Sequence, residues 1–525
     1  MSTHEQAVDR VRQYIREGWR QLERGNRQLL SAAIDPKLGK QYHRWPVYVS
    51  AKENLEAVRN LLIAQMKRDE FEQIDLRQLP ADLSTLTEHG LLYLPHDYVV
   101  PGGRFNEQYG WDSYWIVLGL LRDGELVLAK KMVDNFLYQI THYGMILNAN
   151  RSYYLTRSHP PLLTGMILAV FQQTQDADWL GSAVPMIEQY YQFWMAEPHY
   201  TPATGLSRYY DHGFGPAPEA LADERDAHGR THYDRVQAFF RAHTAPPYDY
   251  GYEPDRFYDA TQDCLTPLFY VADRSMRESG FDPSDRFGSL NLGVIDMNPV
   301  CLNTLLFLME RDLATIHDSL GHRPAVAEWE ERAARRAVAI NQYMWDEDAG
   351  LYFDYNFTHG MRRVYPFLTT FYPLWAGIAT ESQAQRVVAN LQLFEAPGGL
   401  LTSTTTSGCQ WDAPFGWAPL QMIAVKGLRR YGAEEDANRI ASKFVSLVIK
   451  SFLAHGTIYE KYDLSNQSIG SHTTFGYLYN VVGFGWTNSV VLEFLAELPA
   501  NRIEEMSLNY EAPASLREAQ PAAEG

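Results

Sequence analysis

Residues Glu125–Ile140 read ELVLAKKMVDNFLYQI, a stretch in which apolar side chains recur every three or four positions. The apolar positions are Leu126, Leu128, Met132, Val133, Phe136 and Leu137. Because an α-helix completes a turn in 3.6 residues, this spacing predicts an amphipathic helix. The same pattern recurs in Leu162–Thr174, Trp179–Met195, Cys301–Leu320, Val326–Met344, Gln383–Phe394, Pro419–Tyr431, Ala437–Leu453 and Asn488–Leu498. Strand-like alternation is scarce, so the predicted fold class is all-α.

Two segments between helices share a local pattern. Thr201–Asp211 and Asp346–Asp354 each combine a turn around a glycine with an aromatic-rich extended piece. Helices of about 12 to 20 residues joined by such turns are typical of stacked helical hairpins. We therefore expect concentric helical pairs with short β-hairpins and a loop lid on one rim.

The domain organisation follows from composition shifts along the chain. Residues 1–500 are predicted to form one domain. Within it, residues 211–259 are rich in Pro, Gly, His, Asp and Tyr, with one short helix expected near Val236–Phe240. A long loop of this kind is often a lid or a site wall. Residues 501–525 are rich in Ala, Glu and Pro and are predicted to be a disordered tail.

Charge and aromatic content limit the classes of ligand. Acidic residues outnumber basic ones by 64 to 46, which gives a formal net charge of −18. Such a surface repels nucleic-acid phosphates and anionic lipid heads, so neither nucleic acid nor membrane is an expected partner. The chain also has 12 Trp, 33 Tyr and 24 Phe. Aromatic rings beyond those needed for the core would offer stacking surfaces to a sugar.

Cysteine and histidine spacing gives no sign of a metal or a cofactor. Cys264, Cys301 and Cys409 are far apart, so neither a disulfide framework nor a thiolate metal site is expected. No H-E-x-x-H spacing occurs. A calcium ion among loop carboxylates stays open as an alternative. The N-terminus lacks a signal-peptide pattern, and no apolar run approaches the ~20 residues of a membrane span, so we expect a cytoplasmic protein.

The passage Pro101–Tyr114 reads PGGRFNEQYGWDSY and is the densest in chemistry-bearing residues. Charged side chains lie among Trp, Tyr and Phe directly after a Gly-Gly turn. Aromatic rings provide a stacking surface, and charged groups hydrogen-bond sugar hydroxyls with fixed geometry. The alternative interpretation is a helix entry with Asp112 close to its N-terminus.

A second passage, Gly408–Gln421, reads GCQWDAPFGWAPLQ. Together the two passages resemble the signature motifs P-G-G-R-F-x-E-x-Y-x-W-D-x-Y and Q-W-D-x-P-x-G-W-x-P of the trehalase family, glycoside hydrolase family thirty-seven. Both motifs are long and rich in rare residues, so a chance double match is very improbable. The resemblance extends over Val99–Leu492. It implies an (α/α)₆ toroid, in agreement with the helical hairpins expected from periodicity.

Four further stretches resemble family segments in the same order. They are Asn148–Pro161 (NANRSYYLTRSHPP), Glu278–Arg286 (ESGFDPSDR), Glu460–Asp463 (EKYD) and Gly483–Asn488 (GFGWTN). In the family the second of these stretches holds the catalytic acid and the third holds the catalytic base. The resemblance therefore implies a glycoside hydrolase that needs no cofactor.

The two implied catalytic residues are Asp282 and Glu460. Glycoside hydrolysis requires two carboxyl groups that flank the scissile bond. Asp282 is the implied general acid, and its apolar neighbours Phe281 and Pro283 favour the protonated form. Glu460 is the implied base that activates water, and the family inverts the anomeric carbon. Without the resemblance, Asp282 would read as a turn cap and Glu460 as the partner of Lys461.

The resemblance also implies which residues bind the substrate. The glucose unit is expected to contact Arg104, Trp111, Asp112, Asn148 and Arg157 and the backbone of Gly280. The remaining implied binding residues are Phe105, His159, Glu219, Trp411 and Tyr477. Trp411 and Trp417 are expected to form a wall of the site. The alternative is that one of these two rings belongs to the hydrophobic core. Arg151 and Arg286 are equally compatible with structural ion pairs.

Three positions differ from the family pattern in the segments that, in the family, bind the leaving group. His159 stands where the family has Gln, Ala217 where it has Arg, and Tyr477 where it has Glu. Loss of a bidentate arginine removes two charge-assisted hydrogen bonds, and such groups discriminate strongly among substrates. We therefore expect a rebuilt leaving-group subsite. The predicted substrate is a small α-glucoside other than trehalose, such as glucosylglycerol or glucosylglycerate.

The alternative substrate is α,α-trehalose, cleaved to two glucose molecules. Three other functions also stay open. A non-catalytic sugar-binding protein would not need both carboxyl groups, which are present. A phosphorolytic enzyme would need a basic phosphate pocket in place of Glu460. A polymer-acting, glucoamylase-like enzyme would need residues 211–259 to leave an open cleft. The sequence predicts no oligomeric state.

Overall fold

Helices dominate the computed structural model, which describes residues 3–220, 225–226, 228–243, 250–470, 473–476 and 479–508. The α-helices are α1 (Thr3–Gln21), α2 (Leu29–Ala33), α3 (Leu55–Gln65), α4 (Arg68–Phe71), α5 (Asp112–Arg122), α6 (Leu126–Tyr143), α7 (Leu163–Thr174), α8 (Ala177–Met195), α9 (His232–Ala242), α10 (Pro267–Glu278), α11 (Val300–Ser319), α12 (Arg323–Met344), α13 (Tyr372–Ala376), α14 (Glu381–Ala389), α15 (Ala418–Arg430), α16 (Glu434–His455), α17 (Gly485–Glu497) and α18 (Ala500–Leu508). None of these helices combines the length and the apolar character needed to cross a bilayer.

Six helices close into an inner ring. In order around it, α5, α7, α11, α13, α15 and α17 each pack against the next, and α17 packs back against α5. Outside this ring, α6 packs on α5, α8 on α7, α12 on α11, and α16 on α15. Helix α1 packs on both α16 and α17. This arrangement confirms the predicted all-α, (α/α)₆ toroid.

The two rings bury different fractions of their side chains, as their sequences require. Outer helix α6 buries an amphipathic face that includes Met132, Val133 and Phe136, and it ends at Gly144 in the left-handed conformation. Inner helix α11 buries most of its residues around its whole circumference. A helix that is apolar all round needs neighbours on every side, which the closed ring supplies.

Short antiparallel hairpins connect the helices. The strands are β1 (Glu23–Arg24), β2 (Trp45–Val49), β3 (Ile74–Gln78), β4 (Leu91–Leu92), β5 (Tyr98–Val99), β6 (Tyr200–Thr201), β7 (Leu206–Ser207), β8 (Tyr258–Asp259), β9 (Cys264–Leu265), β10 (Met297–Asn298), β11 (Trp345–Asp346), β12 (Leu351–Tyr352), β13 (Tyr355–Asn356), β14 (Met361–Arg362), β15 (Glu395–Ala396), β16 (Gly399–Leu400), β17 (Phe415–Trp417) and β18 (Lys461–Asp463). The two glycine-turn segments are the hairpins β6–β7 and β11–β12. Gly205 and Gly350 adopt positive φ in their turns.

A parallel sheet near the N-terminus was not predicted. Strand β2 pairs in parallel with both β3 and β4, and Val47 lies opposite Leu76 and Leu91. Together with α2 and α3, this sheet buries a small core of its own, separate from the core of the toroid. Every residue of β2 is buried. Such a short, continuous apolar run carries no alternation, so periodicity does not identify it as a strand.

The described parts of residues 211–259 contain more helix than predicted. Helix α9 spans His232–Ala242, where a helix was expected only near Val236–Phe240, because Thr231 and Asp234 form a capping box at its start. Residues 221–224, 227 and 244–249 lie outside the described residues. A lid role for this insertion stays a prediction.

The tail prediction for residues 501–525 differs from the structure at its start. Helix α18 continues to Leu508 and packs against α1 and α16. Its Met506 is buried, and Ile503 packs against the main core. These apolar residues on one face explain why the helix extends past residue 500. Residues 509–525 lie outside the described residues.

A buried ion pair fixes the start of inner helix α11. Arg286 is fully buried, and its Nε and Nη2 donate to the carboxylate of Asp354 over 2.7 and 2.6 Å. The same carboxylate accepts from the backbone N–H of Val300, the first residue of α11. The rings of Phe281, Phe287 and Phe367 surround the guanidinium.

We expect Arg286→Leu to destabilise the fold strongly. The substitution leaves Asp354 buried without its countercharge, which typically costs about 3–5 kcal/mol. Thermal unfolding should therefore begin well below the temperature of the unmodified chain. Arg68→Gln is the matched control, because Arg68 and Glu72 form an exposed pair on one helix. An equal loss of stability in the two variants would contradict this account.

Candidate active site

A pocket of about 90 Å³ opens at the end of the toroid where α5, α15 and α17 begin. The structure brings together in it every predicted site residue that it describes, and Tyr477 lies outside the described residues. The predicted residues that line the pocket are Arg104, Phe105, Trp111, Asp112, Asn148, Arg157, His159, Glu219, Gly280, Asp282, Trp411 and Glu460, with Trp417. The lining residues not predicted are Lys37, Tyr109, Tyr154, Arg277, Gln410, Phe484 and Trp486.

Asp282 lies in the loop after α10. Its side chain is 22% exposed, and the guanidinium of Arg277 lies 3.7 Å from the carboxylate. Burial raises the pKa of Asp282 to about 7, against the opposing effect of the Arg277 cation. This carboxyl group therefore holds a proton close to neutral pH. Gly280 has a φ of +77°, and an added Cβ would lie 2.9 Å from the Trp111 ring.

Residues of the Gly408–Gln421 motif form hydrogen bonds with the loop that carries Asp282. The Gln410 side chain donates to the carbonyl oxygen of Asp282 over 2.5 Å, and the Trp411 backbone N–H donates to that of Pro283 over 3.1 Å. The Asp412 carboxylate accepts from the backbone N–H of Asp285 over 2.9 Å. The first residues of this motif therefore fix the position of the loop that carries Asp282.

Asp412 is itself held by hydroxyl groups. Ser403 and Ser407 donate to its two carboxylate oxygens over 2.7 and 2.6 Å, and Tyr365 donates over 2.9 Å. Ser284, two residues after Asp282, also donates to the Asp412 carboxylate over 3.2 Å. Burial raises the pKa of Asp412 to about 6, and the hydrogen bonds oppose that shift. The sequence indicated only that Asp412 belongs to a motif, not which loop it holds.

Glu460 lies just before β18 and is almost fully buried. Its carboxylate lies 3.3 Å from the Lys461 ammonium. Burial raises the pKa of Glu460, while the cations of Lys461 and Arg104 oppose the shift. The indole N–H of Trp486 donates to the Glu460 carbonyl oxygen over 3.1 Å, which ties this residue to the start of α17.

Arg277 places a third guanidinium in the pocket, with Arg104 and Arg157. It stands in the last turn of α10, and Asp273 one turn earlier accepts two hydrogen bonds of 3.2 Å from it. The sequence did not predict Arg277, because the third arginine of the site was expected at position 217, which belongs to another segment. The available signal was its place in α10, one turn before the loop that carries Asp282.

Ala217 does not line the pocket. It is buried, and its backbone N–H donates to the hydroxyl of Tyr233. Its neighbour Glu219 does line the pocket and binds the buried guanidinium of Arg157, which also donates to Asp211 over 2.8 Å. Three arginines, Arg104, Arg157 and Arg277, line the pocket although position 217 is an alanine.

Burial shifts the pKa values of both His159 and Asp112. Burial lowers the pKa of His159 well below its ordinary value, so the ring is neutral at pH 7. Its Nδ1 accepts from the backbone N–H of Trp111 over 3.1 Å. Burial raises the pKa of Asp112 well above its ordinary value, and the charges of Glu460 and Asp282 add to that rise. Asn148 contacts the carbonyl oxygens of Ser158 and Arg277.

Tryptophan rings form one wall. Trp411 and Trp417 stack with ring centres 3.8 Å apart and planes 5° from parallel. Trp111 and Trp486 pack against Trp411 at 5.7 and 6.4 Å. Both Trp411 and Trp417 are buried and both line the pocket, so core and site roles coincide here. Such rings suit the C–H faces of a sugar.

Arg151 and Arg286 each form a buried ion pair with a carboxylate, and neither of them lines the pocket. Arg286 pairs with Asp354, as described above. Arg151 donates to Glu107 over 2.7 Å and to backbone carbonyl oxygens of residues 32–34. Lys37 also donates to both carboxylate oxygens of Glu107 over 2.8 Å. This cluster joins the N-terminal segment to the pocket wall, which Lys37 reaches.

Among the described residues, no group of three or more His, Cys, Asp or Glu side chains is arranged to hold a metal ion. The cations of the pocket are instead those of arginine and lysine side chains.

Several relatives are similar to the chain over much of its length. A cytosolic neutral trehalase of Emericella nidulans is 36% identical and aligns with 95% of this chain and 73% of its own. A cytosolic neutral trehalase of Saccharomyces cerevisiae is 39% identical and aligns with 75% of this chain. The chain spans 56% of that relative's length.

Two solved structures are also similar to this chain. Neutral trehalase Nth1 from Saccharomyces cerevisiae superposes with a TM-score of 0.79 at 31% identity, covering 97% of both chains. The GH63 mannosylglycerate hydrolase from Thermus thermophilus, in complex with glucose, has a TM-score of 0.52 at 18% identity and covers 76% of this chain and 96% of its own. The second likeness shows a shared fold alone.

The prediction of a substrate other than trehalose is wrong. It rested on a rebuilt leaving-group subsite, yet the relatives that are 36–39% identical are named trehalases. The substitution at Ala217 does not leave the pocket short of arginines, because Arg277 of α10 lines it together with Arg104 and Arg157. A departure at one position in the sequence therefore did not mean that the pocket had lost a cation.

The family model described as Trehalase matches residues 9–499. The motifs that suggested this resemblance all lie within that range, and each of them contributes residues to one pocket. The chain belongs to the trehalase family of glycoside hydrolases.

Proposed function

We propose that this enzyme hydrolyses α,α-trehalose to two molecules of glucose. The observation that carries the proposal is a pocket in which two candidate carboxyl groups, Asp282 and Glu460, stand together with three guanidinium groups. The names of the relatives and of the Nth1 structure support the same substrate. Because those relatives are named cytosolic, we propose that the enzyme acts in the cytosol.

Asp282 is the proposed general acid. Its raised pKa supports this role, because an acid must carry its proton at the working pH. The proton passes to the glycosidic oxygen as the bond from that oxygen to the anomeric carbon breaks. The leaving glucose departs with the proton on its new hydroxyl group.

Glu460 is the proposed general base. It takes one proton from a water molecule while the water oxygen bonds to the anomeric carbon on the face opposite the leaving group. Lys461, 3.3 Å away, favours the ionised form that accepts this proton. The product formed at the attacked carbon is β-glucose, and the leaving glucose keeps its α configuration.

The remaining described residues are proposed to hold the substrate. Arg104, Arg157 and Arg277 present charge-assisted donors to sugar hydroxyl groups. Trp111 and Trp411 offer apolar faces beside them. Neutral His159 can accept or donate a hydrogen bond without bringing a charge. Glu219 is proposed to act through Arg157, which it binds.

The substrate proposal is tested by a comparison of small α-glucosides. With the purified enzyme, kcat/KM for trehalose should exceed that for glucosylglycerol, glucosylglycerate and maltose by at least about 100-fold, because a site built for hydroxyl groups rejects analogues that leave its polar groups unpaired. Glucose release is measured with a coupled assay. A glucoside other than trehalose hydrolysed with equal or greater kcat/KM would refute the proposal.

The catalytic roles are tested by Asp282→Asn and Glu460→Gln. Each variant should lose at least about 10³-fold in kcat while keeping the unfolding temperature within a few degrees, because each removes a proton-transfer group without changing its shape. Proton NMR of the unmodified enzyme should show α- and β-glucose appearing in equal initial amounts. If only α-glucose appears at first, the reaction retains configuration and Glu460 is not the base.

The pH dependence of kcat/KM tests the environment of Asp282. The acid form is active, so the rate should fall as pH rises through the folded-state pKa of about 7. Arg277 lowers this pKa, so Arg277→Gln should raise it and move the alkaline limb to higher pH. Arg277→Lys keeps the charge and should leave that limb close to its original position. An alkaline limb that does not move in Arg277→Gln would remove Arg277 from this role.

A further inference from the structure

A second cavity lies on the outside of the toroid, away from the catalytic pocket. It measures about 530 Å³, and hairpin β6–β7 and helices α8, α11 and α12 contribute its walls. Its lining includes Tyr191, Tyr200, Glu310, Arg332, Arg335 and Arg336. The two cavities share none of their described lining residues. The size of the second cavity suits a ligand as large as a phosphorylated monosaccharide.

The lining of this cavity is rich in arginine, although the chain as a whole is acidic. Among the described lining residues, three arginine side chains stand against the carboxylate of Glu310, whereas the chain carries a formal net charge of −18. Each of the three arginines forms an ion pair with a glutamate, so the cavity offers guanidinium groups to an anion rather than a net positive charge. Guanidinium groups match phosphate with paired hydrogen bonds.

Two of these guanidinium groups form ion pairs with exposed glutamates, and that of Arg332 also lies over the Trp329 ring at 4.4 Å. Arg332 pairs with Glu328, and Arg335 pairs with Glu331, each one turn earlier on α12. The glutamates are 61% and 69% exposed. Exposed pairs of this spacing contribute little to stability, so an incoming phosphate can replace the glutamates as partners of the two arginines.

The wall of the cavity includes a buried carboxylate oxygen that accepts no hydrogen bond from the described residues. Glu310 is buried, and its Oε1 accepts from Arg336 Nε over 2.9 Å and from the Tyr191 hydroxyl over 2.7 Å. Its Oε2 is also buried, yet it has no hydrogen-bond partner among the described residues. A buried carboxylate oxygen without a donor is unfavourable, and a ligand hydroxyl group would satisfy it.

We propose that this cavity is an accessory binding site for a phosphorylated sugar. Arg332 and Arg335 bind the phosphate group, and Glu310 Oε2 accepts a hydrogen bond from a sugar hydroxyl. Tyr191 and Tyr200 border the space that the sugar ring occupies. The site is separate from the chemistry proposed for Asp282 and Glu460, so it stands whether or not trehalose is the substrate.

Isothermal titration calorimetry with glucose 6-phosphate, inorganic phosphate and glucose tests this proposal. Glucose 6-phosphate should bind the full chain more tightly than inorganic phosphate does, because only the sugar phosphate supplies a hydroxyl group to Glu310. The double variant Arg332→Gln/Arg335→Gln should weaken glucose 6-phosphate binding by at least about tenfold, because both phosphate contacts are lost. Its turnover of trehalose should equal that of the unmodified enzyme.

Arg323→Gln is the matched control, because Arg323 lies on the same helix and forms an exposed pair with Asp318. This variant should bind glucose 6-phosphate like the unmodified chain. The proposal is overturned if the double variant binds glucose 6-phosphate as tightly as the unmodified chain does. It is also overturned if inorganic phosphate binds as tightly as glucose 6-phosphate, or if neither binds.

Discussion

The hydrogen bonds between the Asp282–Asp285 loop and the Gln410–Asp412 segment are the contacts on which the candidate active site depends. Asp282 lies in a loop after α10, and a carboxyl group on a loop is not positioned by helix geometry alone. The side chain of Gln410 and the backbone of Trp411 bind two successive carbonyl oxygens of that loop. Asp412 binds the loop from the other end through Ser284 and Asp285.

Those contacts also set the electrostatics of the pocket. The Trp411 backbone binds the loop that carries Asp282, and the Trp411 ring stacks on Trp417 in the wall of the same pocket. Burial then raises the pKa of Asp282, while Arg277 limits the rise. The buried Arg157 has two carboxylate partners, Asp211 and Glu219. Such pairing is what allows several charges to stand in one small pocket.

Most of the fold was predictable from the spacing of apolar residues. The pattern in Glu125–Ile140 placed α6 with little error, since the structure has Leu126–Tyr143. The parallel strand Trp45–Val49 was not found, because it is buried throughout and shows no alternation. Helix α18 was missed for a different reason, because the segment is rich in polar residues and is ordered by a few apolar contacts with the core.

Motif strings determined the candidate site residues, since long runs such as Pro101–Tyr114 and Gly408–Gln421 carry specific patterns in the sequence itself. Only the tertiary structure decided which side chains share the pocket. Arg277 comes from a different segment than Ala217, so the sequence indicated a lost cation where the folded chain has one. A motif records residues that are neighbours along the chain. The charge of a pocket is a sum over side chains from distant segments, and only folding brings those together.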